Sequence, residues 1–189
     1  SNVLKCWGYD SHGQVGIGRD GGYAYVATPT EVVLPDVRKV AVGGEFVCAM
    51  AADNGLIQCW GNNAASQLGN GISGKLTAPE HVVTIGGGVE IATGRQHACT
   101  RLGGGGPVMC WGSNGYGRLG VGDESTRKTP TPLLDPGGQG LFLGQDLALG
   151  DSHSCARSAS GDAVWCWGWN WYGQLGVATF PDGGTVPAG

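Results

Sequence analysis

Cys166-Trp167-Gly168-Trp169-Asn170-Trp171-Tyr172-Gly173-Gln174-Leu175-Gly176 decides how this chain is read, because near copies of it occur at three earlier places. Aligned on Cys-Trp-Gly, the copies begin at Cys6, Cys59, Cys110 and Cys166, separated by 53, 51 and 56 residues. Self-similarity at a period of about fifty residues marks a propeller, a solenoid or an array.

Working outward, each unit runs from Cys-Trp-Gly through an Asx residue to a Gly-Gln-Leu-Gly-like block. A variable loop, a proline and two short apolar strands follow, and the second strand ends in cysteine. The Asx place holds Asp10, Asn63, Asn114 and Asn170, and the block closes on Gly16, Gly69, Gly120 and Gly176 in every copy. A glycine kept in all copies points to a backbone that needs positive φ or close approach. Pro29, Pro79 and Pro130 are expected at the start of a strand, where the missing N–H loses no ladder bond. Four short β segments per period, separated by Gly, Pro and Asn turns, predict four-stranded propeller blades. The expected architecture is all-β, a propeller or partial propeller arc. It is a single repeat array over 1–189, with units 6–58, 59–109 and 110–165 and a partial unit 166–189.

The cysteines carry compartment information. Cys48 and Cys59, Cys99 and Cys110, and Cys155 and Cys166 are each separated by 11 residues, and turn residues lie midway in every interval. That centring puts each pair across a β-hairpin, where cross-strand geometry suits a disulfide of about 2–3 kcal/mol on the chain-entropy model. Three such pairs predict an oxidising compartment, hence a secreted or cell-surface protein. The competing readings, reduced core pairs or zinc, are weaker; zinc sites need short-spaced ligand pairs that are missing here. Cys6 is left over. By the same spacing its partner falls before Ser1, so Cys6 is expected to be unpaired or bonded outside these residues. Pro187 recurs at the proline phase after Cys166, so incomplete blades are expected at both ends, within a longer chain or an assembly.

Composition narrows the function. The net charge is −4 and charged residues make up 14%, so the basic field that draws proteins to phosphate backbones is missing and no nucleic-acid partner is expected. No apolar run approaches the ~18 residues of a membrane span.

The pattern Cys-Trp-Gly-x-Asn-x-x-Gly-Gln-Leu-Gly, followed by proline and by Ile91-Ala92-Thr93-Gly94-Arg95-Gln96-His97-Ala98-Cys99, resembles the regulator of chromosome condensation repeat family over essentially the whole chain. The resemblance implies a β-propeller, commonly seven-bladed, of which this chain would be an arc. The family's founding member is a nuclear nucleotide-exchange factor for a small GTPase, while the paired cysteines are similar to those of secreted members. β-Lactamase inhibitor protein II, another secreted propeller, suggests enzyme inhibition as an alternative role.

No catalytic triad, Walker loop, metal triad or carboxylate pair stands out, so an enzyme, a cofactor and a metal are not expected. His97 and His153 precede their cysteines, but Phe46 holds that place in the first unit, which breaks any repeated metal site; both are expected as strand residues that pack or hydrogen-bond locally. Asp123-Glu124 and Asp151-Ser152-His153 read as solvated loops. Trp7, Trp60, Trp111 and Trp167, one per unit at one phase, read as packing between repeats. Trp169, Trp171, Tyr172, Tyr9 and Tyr116 flank the Asx position and are the candidate interaction residues, because rigid aromatics on a rim make good anchors. Tyr23 and Tyr25 are weaker candidates. The sequence thus predicts an extracellular structural or protein-interaction module, whose partner is another protein or further copies of the repeats. Enzyme inhibition and nucleotide exchange are the alternatives.

Overall fold

The computed structural model describes residues 3–19, 25–34, 36–82 and 85–177, and these are almost entirely β. The strands are β1 (Leu4–Tyr9), β2 (Tyr25–Val32), β3 (Val37–Val42), β4 (Phe46–Ala51), β5 (Ile57–Gly61), β6 (Leu76–His81) and β7 (Gly88–Thr93). They continue with β8 (His97–Leu102), β9 (Val108–Gly112), β10 (Arg127–Pro132), β11 (Gly144–Leu149), β12 (His153–Ser158) and β13 (Val164–Gly168). They form four antiparallel sheets: β1-β2, β3-β4-β5-β6, β7-β8-β9-β10 and β11-β12-β13. The result is an arc of propeller blades.

Blade and repeat are out of phase. Each four-stranded sheet takes its first two strands from one repeat; its third strand runs through the next Cys-Trp-Gly, and its fourth follows the loop of that next repeat. Two sheets therefore have four strands, although the sequence holds three full periods. Strands β3, β7 and β11 neighbour one another from blade to blade and are the inner strands; β2, β6 and β10 are the outer ones.

Pro29, Pro79 and Pro130 lie inside the outer strands, not at their starts as the sequence suggested. In each outer strand the register jumps around the proline. Cys6 pairs with Thr30 and Gly8 with Val26; Cys59 pairs with Glu80 and Gly61 with Leu76; Cys110 pairs with Thr131 and Gly112 with Arg127. Three residues, the last of them proline, thus face a single tryptophan. A proline is tolerated there because a bulge on an outer strand needs no N–H from it.

The core lies between blades. Phe46, Met50, Ile57 and Leu68 pack with Ile91, Ala98 and Trp111 across one junction, and Cys99, Val108 and Leu119 pack with Phe142 and Ala156 across the next. Apolar surface buried at these junctions stabilises the arc at ~25 cal/mol per Å². The sulfurs of Cys48 and Cys59, Cys99 and Cys110, and Cys155 and Cys166 are bonded, each pair directly opposite across a hairpin with Cα atoms 4.1 Å apart. Cys6 is free.

Candidate protein-interaction surface

The repeated motif builds one loop face of the arc. In the loop after each Cys-Trp-Gly, the Asx side chain is buried and its Oδ1 accepts the backbone N–H five residues on: Asp10 from Val15, Asn63 from Leu68, Asn114 from Leu119 and Asn170 from Leu175, at 2.9–3.0 Å. The amide side chains also donate, Asn63 to the Ile72 carbonyl and Asn114 to the Asp123 carbonyl. Asp10 has no such N–H to give. The Gln side chain closes the same turn by accepting the N–H two residues before it, as Gln67 does from Ala65 and Gln174 from Tyr172.

The next blade clamps this loop. Trp60 Nε1 donates to the Gln14 carbonyl at 3.0 Å, Trp111 Nε1 to that of Gln67 at 2.9 Å and Trp167 Nε1 to that of Arg118 at 2.9 Å. The tryptophan ring rests against the recurring glycine. A Cβ on Gly69, at φ +64°, would sit 2.7 Å from Trp111, and one on Gly16 would sit 2.4 Å from Trp60. The glycine is therefore required twice, by its conformation and by the ring. Trp60 and Trp111 are fully buried, whereas Trp7 is 61% exposed; among the described residues the expected packing between repeats is seen at Trp60, Trp111 and Trp167.

On this face the aromatic residues separate. Tyr116 stacks on Trp169, with ring centroids 5.9 Å apart, and Trp169 meets Tyr172 edge-on at 5.3 Å. Loops of two consecutive repeats thus share one aromatic cluster. Tyr116 and Tyr172 remain 59% and 77% exposed. Trp171 is exposed in the same loop, and Tyr9 holds the Trp169 place at the far end of the arc. Tyr25 is exposed on β2, and Tyr23 lies outside the described residues. Tyr116 has a positive φ of 63°, an uncommon conformation for an aromatic residue that costs of order 1 kcal/mol and is concentrated at functional sites.

Polar groups frame the cluster. Arg118 stands where other repeats have Gln; its guanidinium donates to the Gly115 carbonyl at 3.0 Å and, across the blade junction, to the Asp151 carbonyl at 3.2 Å. The exposed Arg95 and Asp151 lie 4.0 Å apart on neighbouring blades. Asp123 is salt-bridged to Arg127 at 2.7 Å, and that hydrogen bond holds its carboxyl below the usual carboxylate range. Residues 123–127 are thus tied in place, which the polar composition of the loop did not reveal. Among the described residues no three His, Cys, Asp or Glu side chains are grouped to hold a metal ion, and no helix is long and apolar enough to cross a membrane.

His97 is the packed, hydrogen-bonded strand residue expected, but its partner lies across a blade junction and is not local. It is fully buried; its Nε2 bonds Ser154 Oγ at 2.9 Å, and that hydroxyl donates to the Arg118 carbonyl. Its Nδ1 is buried without a partner. Burial, with the positive charge of Arg118 nearby, pushes the imidazole down to about 3. Phe46 occupies the same place one blade earlier, so shape was legible there and polarity was not.

The family follows from this geometry. The model of the regulator of chromosome condensation (RCC1) repeat matches residues 6–50 and 106–157, and a second model of the same repeat matches 145–174. The chain belongs to the RCC1 repeat family. It is 30% identical to the ultraviolet-B receptor UVR8 of Arabidopsis thaliana, over 93% of this chain and 39% of that protein. Among solved structures, human WBSCR16 superposes with a TM-score of 0.78 at 26% identity, over 93% of this chain and 45% of that one. Prp20p of Saccharomyces cerevisiae, whose structure was described with its binding to Gsp1p and histones, gives 0.72 at 22% identity, over 82% of this chain and 39% of that one. The chain spans less than half the length of each of these proteins.

Proposed function

We propose that this chain is a non-enzymatic protein-interaction module of an extracellular or cell-surface protein, working as an arc within a larger propeller. The exposed cluster of Tyr116, Trp169 and Tyr172 carries the reading. Two blades hold these rings against one another, so little side-chain entropy remains to be lost when a partner covers them. Protein binding by Prp20p supports this use of the fold. The three hairpin disulfides support the extracellular address, since such bonds persist in oxidising compartments.

A photo-crosslinking residue at Tyr172 tests the surface, with the same residue at Asp53 on a β4–β5 turn as control. The expected result on native extracellular material is a discrete protein adduct from position 172 alone, suppressed by excess unmodified protein. Equal labelling from both positions, or none, removes the surface. Thiol alkylation before and after reduction tests the address: six cysteines blocked as disulfides support it. A fully reduced native protein overturns it and favours the nucleotide-exchange reading.

A further inference from the structure

The dipeptide Asn-Gly occurs three times, at Asn54-Gly55, Asn70-Gly71 and Asn114-Gly115, and the fold treats the three differently. Asn114 is completely buried, with Nδ2 donating to the Asp123 carbonyl at 2.7 Å and Oδ1 accepting the Leu119 N–H. Asn70 is buried too; its Oδ1 accepts from Asn63 Nδ2 and from the Ile72 N–H, and its Nδ2 donates to Glu80 Oε2 at 3.4 Å. Asn54 is exposed, in the turn between β4 and β5. Its Oδ1 accepts the Leu56 N–H at 2.9 Å, while among the described residues nothing holds its Nδ2 and nothing accepts the Gly55 N–H. The same turn is the foot of a blade junction. The Gly87 N–H donates to the Asn54 carbonyl at 3.0 Å and the Gly88 N–H to the Gly55 carbonyl at 3.1 Å, at the entry to β7. Gly55, at φ +66°, lies so close that a Cβ on it would run into the Gly88 backbone.

We propose that Asn54 is a self-modifying site: its side chain cyclises onto the Gly55 nitrogen in the folded protein, opens to isoaspartate, and so releases the junction between the β3–β6 and β7–β10 blades. Glycine leaves the attacking nitrogen without a neighbouring Cβ in the way. The Leu56 N–H on Oδ1 fixes the side chain in an Asx turn and polarises the Cγ carbonyl, which makes Cγ the better electrophile. Asn70 and Asn114 have the same following residue, but burial keeps hydroxide and water from them and their leaving nitrogen is already bonded. The reaction needs only water and hydroxide, so it depends neither on the compartment nor on the aromatic face.

Hydroxide takes the Gly55 N–H proton, the nitrogen attacks Asn54 Cγ, and a Cγ–N bond forms. The Cγ–Nδ2 bond breaks and Nδ2 leaves as ammonia, taking its third proton from water. One water then opens the five-membered imide. Addition at the Asn54 main-chain carbonyl breaks its bond to the Gly55 nitrogen and gives isoaspartate; addition at Cγ gives ordinary aspartate. In isoaspartate the chain runs through Cβ and Cγ, one carbon longer, and the carbonyl that received the Gly87 N–H has become a free carboxylate. The Gly55 carbonyl is displaced from Gly88 as well, because a contact without room for a Cβ has none for an extra methylene. The product presents the methyl-acceptor carboxylate that isoaspartyl methyltransferases recognise.

The test incubates the full chain near neutral pH, folded and in urea, and reads isoaspartate at each site by enzymatic methyl transfer from S-adenosylmethionine followed by peptide mapping. In the folded chain Asn54 should convert at least about ten times faster than Asn70 and Asn114, because reaction at the buried sites must await local opening. In urea the three rates should agree within about threefold, since an unfolded chain exposes all three alike. Amide hydrogen exchange at Gly87 and Gly88 should be at least about tenfold faster in the converted chain than in fresh chain. An Asn54→Asp variant carries the new charge without the longer backbone, and its exchange there should stay within about twofold of fresh protein, as for an ordinary surface substitution. Equal conversion at the three sites in the folded chain, conversion of Asn54 no faster than that of Asn114, unchanged exchange after conversion, or an Asn54→Asp variant as loose as the converted chain each overturn the proposal.

Discussion

Trp111 and Trp7 hold the same place in the repeat, yet the first is completely buried and the second is 61% exposed. Trp111 lies against Gly69 and donates to the Gln67 carbonyl of the preceding loop. Trp7 has no such loop beside it among the described residues. The comparison shows that the recurring tryptophan acts across a blade boundary, while the Asx and cysteine positions hold their own loop and hairpin. The tryptophan stabilises the junction with the blade before, so an identical residue carries a different energy at each place along the arc.

Substitution of the two tryptophans should break the comparison most strongly. Trp111→Ala is expected to cost about 3–5 kcal/mol, the usual range for a buried Trp truncation, and Trp7→Ala less than about 1 kcal/mol. Urea unfolding of both variants decides; equal losses would mean that the junction is not where the stability resides. Gly69→Ala should follow, at about 3 kcal/mol, because its Cβ meets Trp111 and its φ is left-handed. Gly176→Ala, at φ +70° with nothing within 4 Å among the described residues, keeps only the conformational cost of about 1 kcal/mol.

His97 sharpens the contrast with Phe46. Its imidazole is held down to about 3 from an ordinary 6.5, so the unfolded chain binds a proton between those values that the folded chain refuses. Stability is then fully present above about pH 6.5 and falls as pH drops toward 3, by up to about 1.4 kcal/mol per pH unit. A His97→Phe variant should lose most of that slope between pH 6.5 and 4 in thermal unfolding. A slope unchanged by the substitution would show that other groups govern the acid response.

Removing an interior disulfide by the Cys99→Ser/Cys110→Ser double variant should cost about 2–3 kcal/mol, while Cys6→Ser should change the stability of the isolated chain little. Last, Tyr172→Ala should lower stability by less than about 1 kcal/mol, as is usual for an exposed side chain, while abolishing the adduct formed from a crosslinker placed at Trp171. A retained adduct would separate the cluster from partner binding.

Much of the fold was legible because local rules repeat. Cys-Trp-Gly with its Asx and glycine block names a strand, a tight loop and a close approach, and four copies agree. The 11-residue cysteine spacing names a hairpin because pairing across a tight turn leaves little freedom of register. The prolines misled because a proline states only that its N–H is dispensable, and both a strand start and an outer-strand bulge satisfy that. The aromatic candidates were legible as a set of five; which of them meet was not, since Tyr116 and Trp169 come from different repeats.

The sequence by itself determined the period, the β blades and the hairpin pairing of six cysteines, because each follows from contacts within one hairpin or one loop. Only the tertiary structure decided that blades are cut across repeats, that each tryptophan serves the preceding loop, that His97 is a buried junction residue, and that Tyr116, Trp169 and Tyr172 share one surface. Those are contacts between blades, and their geometry comes from how twisted sheets stack around an axis, which no single repeat encodes.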